Sequence, residues 1–593
     1  MIREVVSLIW ASVKNIYRNK YRFILTSILL QVFLMTVGRY GLATLFRLGI
    51  ELSGETSLTK DNFLTILGQT GSFLILVSYM VLLAGFIYLE MICLVYMVTS
   101  SHRHYEFRDF VRAGWRQLLW LSGPQLLVFL VYVVLMIPIG NLGLSSTLLG
   151  NLQIPNFIID ELSKTGWGTI LLYAFMAVIL YLNLRYIYFL PLAVVNNDTP
   201  LHNMRQSWQL TKHHLMKLLL SVGLLTLVLT GLGVFIAFLL SLLFGFIDDF
   251  WDNLALQTLF YSLVRGLLYL ITFLNKLVLI EVLVNHLLKY DEEHPDVQYV
   301  TLGESDAKPF RYPKWSKGIL WVTVIVGVIF NGSRLYLIAA NPNVLMIAHR
   351  GDVARGVENS IEALEGAAES GADLVEMDVV MTADNELVVI HDDDLGRLAG
   401  VDWQVTEKTL EELEDLEISQ DRFTSKIVSF ETYYKKAKEL NQPLLIELKL
   451  YGTEPDNYVD IILEKLQSVG LRETDKVMSL DLDIMEKIEQ KAPEIVTGYV
   501  IPLQFGDLSG FNTDFYVLED TSYSDFTMWD AERRGKDIYV WTVNDEEIMA
   551  NYLQSPVNGI ITDELALFKT EQANLKSDDG YFARALRLLA LQK

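Results

Sequence analysis

The stretch VLMIAHRGDV, residues 344–353, sits where the chain changes character. Its apolar start runs directly into His349 and Arg350, and Gly351 then breaks the pattern. A short apolar run bounded by a turn residue reads as a buried strand. A His-Arg pair at the end of such a strand puts two reactive side chains on one rim of a sheet. Upstream, long apolar runs fill the first 340 residues. Downstream they stop, and short β-rich runs alternate with amphipathic helical windows.

Charge divides at the same place. The chain has 593 residues, 52% of them hydrophobic, and so has room for two or more domains. Residues 341–593 hold 23 Lys and Arg against 51 Asp and Glu, net −28, whereas residues 1–340 are net +5. A domain this acidic lacks the basic surface that nucleic acid requires, so no nucleic-acid partner is expected. Cys93 is the only cysteine and lies in an apolar run, so no disulfide can form within a chain. A thiol-free C-terminal half tolerates an oxidising exterior.

Seven segments approach or exceed the ~20 apolar residues that cross a bilayer. They lie near 23–46, 73–99, 117–140, 168–195, 216–247, 256–286 and 318–340. The first lacks a small-residue cleavage site and reads as an anchor. Basic residues collect before the first segment and in the loops 100–116, 196–215 and 287–317, while the alternate loops are poor in Lys and Arg. The positive-inside rule puts the basic set in the cytoplasm. An odd number of spans then leaves everything after Ala340 outside the cell membrane. Glu90, Arg185, Arg265, Lys276, Glu281 and Arg334 fall at membrane depth, where charges either line a polar path or pair with one another.

From 344 onward eight strands are expected: VLMIAH, LVEMDVV, PLLIELK, KVMSL, TGYVI, DFYVLE, DIYVWTV and NGIITD. Helical windows such as SIEALEGAAESG and NYVDIILEKLQSVG separate them. The order and size fit a (β/α)8 barrel, although an open doubly wound sheet gives the same alternation. Polar residues gather at strand C-terminal ends, where barrel enzymes build their sites. After the second strand, ADNE signals a turn and LVVIHD a short return strand that carries His391 over the rim. An inserted lobe follows, and the whole insertion covers about 384–430.

Glu376 and Asp378 are two apart on one strand and project to one face. Glu447 ends the next barrel strand. Three carboxylates at a barrel mouth repel one another unless a cation sits between them, and all-oxygen ligation selects Mg2+ or Ca2+ over Zn2+. His349 and His391 can exchange protons near neutral pH. Arg350 and Lys449 supply fixed positive charge for phosphate oxygens. This combination describes phosphodiester cleavage better than other common reactions.

The motifs AHRG, VENS, VEMDV, VIHDDDLGR, LLIELK, IYVWTVN and GIITD resemble, in that order, those of glycerophosphodiester phosphodiesterases, over about 344–570. The preceding helices resemble, by layout, the membrane domain fused to this catalytic domain in some bacterial members. The resemblance implies a multi-span helical membrane domain, 1–340, followed by a (β/α)8 TIM-barrel catalytic domain, 341–593. It implies hydrolysis of a glycerophosphodiester to glycerol 3-phosphate and an alcohol. His349 and His391 would be the acid–base pair. Glu376, Asp378 and Glu447 would hold the divalent cation, Arg350 and Lys449 the phosphate. Trp541 would line the glycerol side. Glu358 and Asn359, from the E-N-[ST] motif, would support the site. Three departures stand out: Ser360 for the usual Thr, Ser479-Leu480 for Ser-Phe, and Thr562-Asp563-Glu564-Leu565 for T-D-x-P. None removes a catalytic group. The expected substrate is a glycerophosphodiester, a lipid-linked diester or a polyglycerol-phosphate of teichoic acid type, at the outer face of a Gram-positive-type cell. Two other readings stay open: phospholipase-like release of a cyclic phosphate from lysolipids, and a lipid-binding or transport protein whose barrel is a sensor.

Overall fold

The structure is a computed structural model. It describes residues 2–55, 62–102, 107–120, 123–136, 159, 166–196, 198–248, 254–294, 299–300, 315–340, 344–414, 416–502, 508, 510–576 and 581. The chain forms two compact units: Met1–Ser53 with Thr65–Leu335 and Gly580–Lys593, and Gly54–Leu64 with Tyr336–Asp579.

The first unit is helical. Among the described residues, five stretches are long and apolar enough to cross a membrane: Phe23–Glu51, Thr70–Thr99, Gly166–Val195, Leu218–Ile247 and Leu254–Glu292. The expected span near 318–340 lies in the helix Ser316–Ala340, whose apolar part, Lys317–Ser333, is shorter. The one expected near 117–140 falls on the helices Phe107–Trp120 and Gln125–Met136 and runs on outside the described residues.

Charges expected at membrane depth are paired. Lys276 forms an ion pair with Glu90, and both are buried. Glu281 accepts from Asn15 Nδ2 at 2.9 Å and from Asn285 Nδ2 at 3.2 Å. Arg185 donates to the Trp208 carbonyl at 2.7 Å and lies over its ring at 4.3 Å. Arg265 donates to Asn331 Oδ1 at 3.1 Å. Apolar surroundings make an unpaired charge costly, and these partners offset that cost. The Arg334 side chain lies outside the described residues.

The second unit is a closed barrel. Its strands are β1 (Leu345–Ala348), β2 (Leu374–Met381), β3 (Leu387–Val389), β4 (Glu417–Gln420), β5 (Phe423–Lys426), β6 (Val428–Ser429), β7 (Leu444–Leu448), β8 (Lys476–Ser479), β9 (Val496–Ile501), β10 (Phe515–Glu519), β11 (Asp537–Trp541) and β12 (Gly559–Thr562). Eight are parallel and run around the ring in the order β1, β2, β7, β8, β9, β10, β11, β12. β1 pairs with β12, Leu345 against Gly559, and also with β2, Ile347 against Leu374. Those two pairings close the ring and exclude the open sheet. They match the eight strands read from the sequence.

Alternation along each strand sorts the side chains. Ile347, Leu374, Leu445, Met478, Val517 and Tyr539 fill the lumen. Met346, Val375, Met377 and Ile446 face the outer helices. β3 runs antiparallel to β2, with Val379 opposite Val389, and brings the chain back towards the strand ends. The insertion that follows has its own small core, with Val357, Val388, Leu395, Leu398, Val405 and Ile418. It includes the β4–β5 hairpin, Glu417 opposite Lys426.

Candidate active site

Lumen parity carries His349, Glu376, Asp378, Glu447, Lys449, Trp541 and Asp563 to the C-terminal mouth, because each lies an even number of residues beyond a lumen-filling residue. Glu519, in register beside Trp541, shares this parity and is fully buried.

The turn after β1 is tight. Arg350 and Gly351 take φ of 59° and 86°, in the left-handed region. A Cβ on Gly351 would meet Ala363 Cβ at 2.7 Å, so only glycine fits. The turn aims the Arg350 backbone N–H at Glu376 Oε2, 2.8 Å away. The Arg350 guanidinium reaches Glu358 Oε1 at 3.0 Å and Asp378 Oδ2 at 3.3 Å. Asn359, also left-handed, donates to Asp378 Oδ2 at 2.8 Å and accepts from the Asp378 N–H at 3.1 Å.

Each histidine carries a carboxylate on Nδ1. His349 Nδ1 donates to Asp563 Oδ1 at 2.8 Å, and His391 Nδ1 to Asp392 Oδ1 at 2.6 Å. Asn544 holds Asp563 in turn: its Nδ2 donates to Asp563 Oδ2 at 2.7 Å, and its Oδ1 accepts from the Asp563 N–H at 2.9 Å. With Nδ1 committed, Nε2 is left in both rings to exchange protons.

Glu376, Asp378 and Glu447 are buried, and one oxygen from each lies within 4.8 Å of the others. Lys449 Nζ is 2.8 Å from Glu447 Oε1 and 3.1 Å from Asp378 Oδ1. Burial, then the charges of Asp378 and Glu447, push the Glu376 carboxyl well above its ordinary range. Burial opposes ionisation of Asp378, but Lys449, His391 and Arg350 outweigh it and hold that carboxylate below its ordinary range. Burial, followed by Arg350 and Lys449, lowers His391 to about 4. Burial alone would raise Asp563, but the charge and hydrogen bond of His349 bring it to about 2. The donor set fits a hard divalent cation: three buried carboxylates converge, and all the donor atoms are oxygens.

Glu358 stands apart from the trio. Arg397 forks onto it, Nη1 to Oε2 at 2.9 Å and Nη2 to Oε1 at 2.5 Å, and Gln420 Nε2 donates to Oε2 at 2.9 Å. Burial would raise this carboxyl, but Arg350 and Arg397 take it down to about 2. Asp392, Arg397, Gln420 and Asn544 were given no role from sequence. Asp392 and Arg397 do lie inside the quoted VIHDDDLGR, so the signal was there without a partner to explain it.

Residues 9–331 match the family described as the membrane domain of glycerophosphoryl diester phosphodiesterase, and residues 349–567 match the glycerophosphoryl diester phosphodiesterase family. A glycerophosphodiester phosphodiesterase of Caldanaerobacter subterraneus is 28% identical over 233 residues, 37% of this chain and 94% of that protein. The crystal structure of a glycerophosphodiester phosphodiesterase from Parabacteroides distasonis is 27% identical, with a TM-score of 0.35, over 40% of this chain and 99% of that one. A phosphodiesterase of Oleispira antarctica, solved with the product sn-glycerol 3-phosphate, is 20% identical, with a TM-score of 0.35, over 38% of this chain and 96% of that one.

Proposed function

The chain belongs to the glycerophosphodiester phosphodiesterase family, as a multi-pass member with an N-terminal membrane domain, and on that premise we propose that its barrel hydrolyses glycerophosphodiesters to glycerol 3-phosphate and an alcohol at the outer face of the membrane. The observation that carries the chemistry is the convergence of three buried carboxylates, flanked by Arg350 and Lys449, between two histidines that each rest on an aspartate.

Glu376, Asp378 and Glu447 would hold a divalent cation, Mg2+ or Ca2+, which would supply positive charge to the phosphoryl oxygens. Arg350 and Lys449 complete the positive wall and orient the phosphate. The carboxylates at their backs keep both side chains protonated. One histidine Nε2 takes a proton from the nucleophile as its oxygen bonds to phosphorus. The other Nε2 gives a proton to the alcohol oxygen as the P–O bond breaks. Trp541 lines the glycerol side. The substrate is a lipid-linked or polyglycerol-phosphate diester, for which a membrane-tethered enzyme gains local concentration.

The test offers purified full-length protein glycerophosphocholine, lysophospholipid and polyglycerol phosphate, and identifies the products by mass spectrometry. Glycerol 3-phosphate with the free alcohol is expected. Activity should vanish in excess EDTA and return with Mg2+ or Ca2+. Full turnover in EDTA, with no metal retained by elemental analysis, removes the cation from the reading. A cyclic phosphate as the final product replaces hydrolysis with transfer.

A further inference from the structure

Arg397 lies outside the lumen, on the one-turn helix Gly396–Ala399 of the insertion. Its side chain nevertheless serves two carboxylates at once. The two terminal nitrogens fork onto Glu358, and Nε donates to Asp392 Oδ2 at 2.6 Å. The other oxygen of Asp392 carries His391 Nδ1. Glu358 itself is buried and also holds the Arg350 guanidinium. An unbroken line of charge-assisted contacts therefore runs from His391 through Asp392, Arg397 and Glu358 to Arg350.

The backbone around Arg397 and Glu358, in the middle of this line, is fixed by one small core. Leu395 and Leu398 bracket Arg397, Val357 precedes Glu358, and all three are buried together in the insertion. The Asp393 carbonyl accepts from the Val405 N–H at 2.8 Å, and its Oδ1 from the Thr406 N–H at 2.9 Å. Asp392 sits at the mouth, and without a partner on Oδ2 its carboxylate could rotate about the bond to its own Cβ. The His391 ring would then lose its orientation.

We propose that Arg397 is a positioning residue for the reaction: it locks the Asp392 carboxylate against Glu358 and so keeps His391 Nε2 turned to the substrate. This rests on the phosphodiesterase reading, in which His391 exchanges the proton. Arginine is required because a planar fork plus Nε spans two carboxylates, and an ammonium does not.

The experiment compares wild type with Arg397→Lys and Arg397→Gln as full-length protein in bilayers. Both variants should lower kcat by roughly 10-fold or more while KM moves less than about 3-fold, as expected when transition-state alignment is lost and binding is kept. The acid limb of the kcat/KM profile should move to lower pH, because an Asp392 that has turned away no longer stabilises protonated His391. Unchanged kcat, or a lower kcat on an unmoved pH profile, overturns the proposal. A second readout is independent of turnover. With 15N-labelled histidine, the His391 signal, assigned by its absence in His391→Gln, should report a single Nδ1–H tautomer in wild type and a mixture in Arg397→Gln. A single tautomer in both sinks the positioning role. Tautomer mixing in a protein that hydrolyses no glycerophosphodiester keeps the positioning role and overturns the reaction.

Discussion

Two histidines, each with Nδ1 on an aspartate, give the residue scale its clearest expectations. His349→Ala and His391→Ala should each lower turnover by ~10²–10⁴, the range for a lost general acid or base. A wild-type rate from either variant removes that ring from the mechanism. Glu358 supplies a pH test. Its folded value near 2 lies below the ordinary carboxylate value of 4.5. The unfolded chain therefore binds the proton first as pH falls. The stabilisation is complete above about pH 4.5, amounts to ~3 kcal/mol, and is lost as pH drops through 2. Barrel unfolding followed by tryptophan fluorescence should show the midpoint falling across that window, with a shallower fall in Glu358→Gln. An identical slope in the variant assigns the acid sensitivity to other groups. His349, Arg350, His391, Glu447 and Lys449 were legible as candidates because each lies at or just beyond a strand's end, and Glu376 and Asp378 because they are two apart on one strand. Arg397 and Asn544 were not. Their meaning depends on partners 39 and 19 residues away, which no local pattern encodes.

All eight barrel strands were legible at the scale of elements, because short apolar runs ending in polar residues alternate with amphipathic windows. Closure was not, since the open sheet shares that alternation and differs only in what the first strand pairs with. The close contacts between strands are equally silent. Gly498 on β9 stands opposite Phe515 on β10, and a Cβ there would meet the Phe515 ring at 2.2 Å. Phe515 is part of the lumen packing and cannot move aside without displacing its neighbours. Gly498→Ala should therefore destabilise the barrel by about 1–3 kcal/mol, the usual cost of overpacking a core. A denaturation midpoint equal to wild type contradicts that packing.

The whole molecule joins an acidic barrel to a helical unit with basic loops. The outside location proposed above requires an odd number of spans after a cytoplasmic N-terminus, seven by the sequence reading. Protease added to intact cells stripped of their wall should remove the barrel while sparing the loop at 287–317. Cleavage of the barrel only after lysis makes the span count even and the enzyme cytoplasmic. Ring closure has a further meaning for how such a chain is made. β1 has β12 as a neighbour, and the hydrogen bond between His349 and Asp563 joins residues 214 positions apart. The first strand emerges from the ribosome long before its last partner does. Until that partner arrives, the His349 ring lacks its aspartate and the barrel its seam. Biosynthesis thus delivers an inert precursor, and catalysis begins only when the final strand is in hand. A chain cut short before Thr562 should be silent however much of the mouth it already carries.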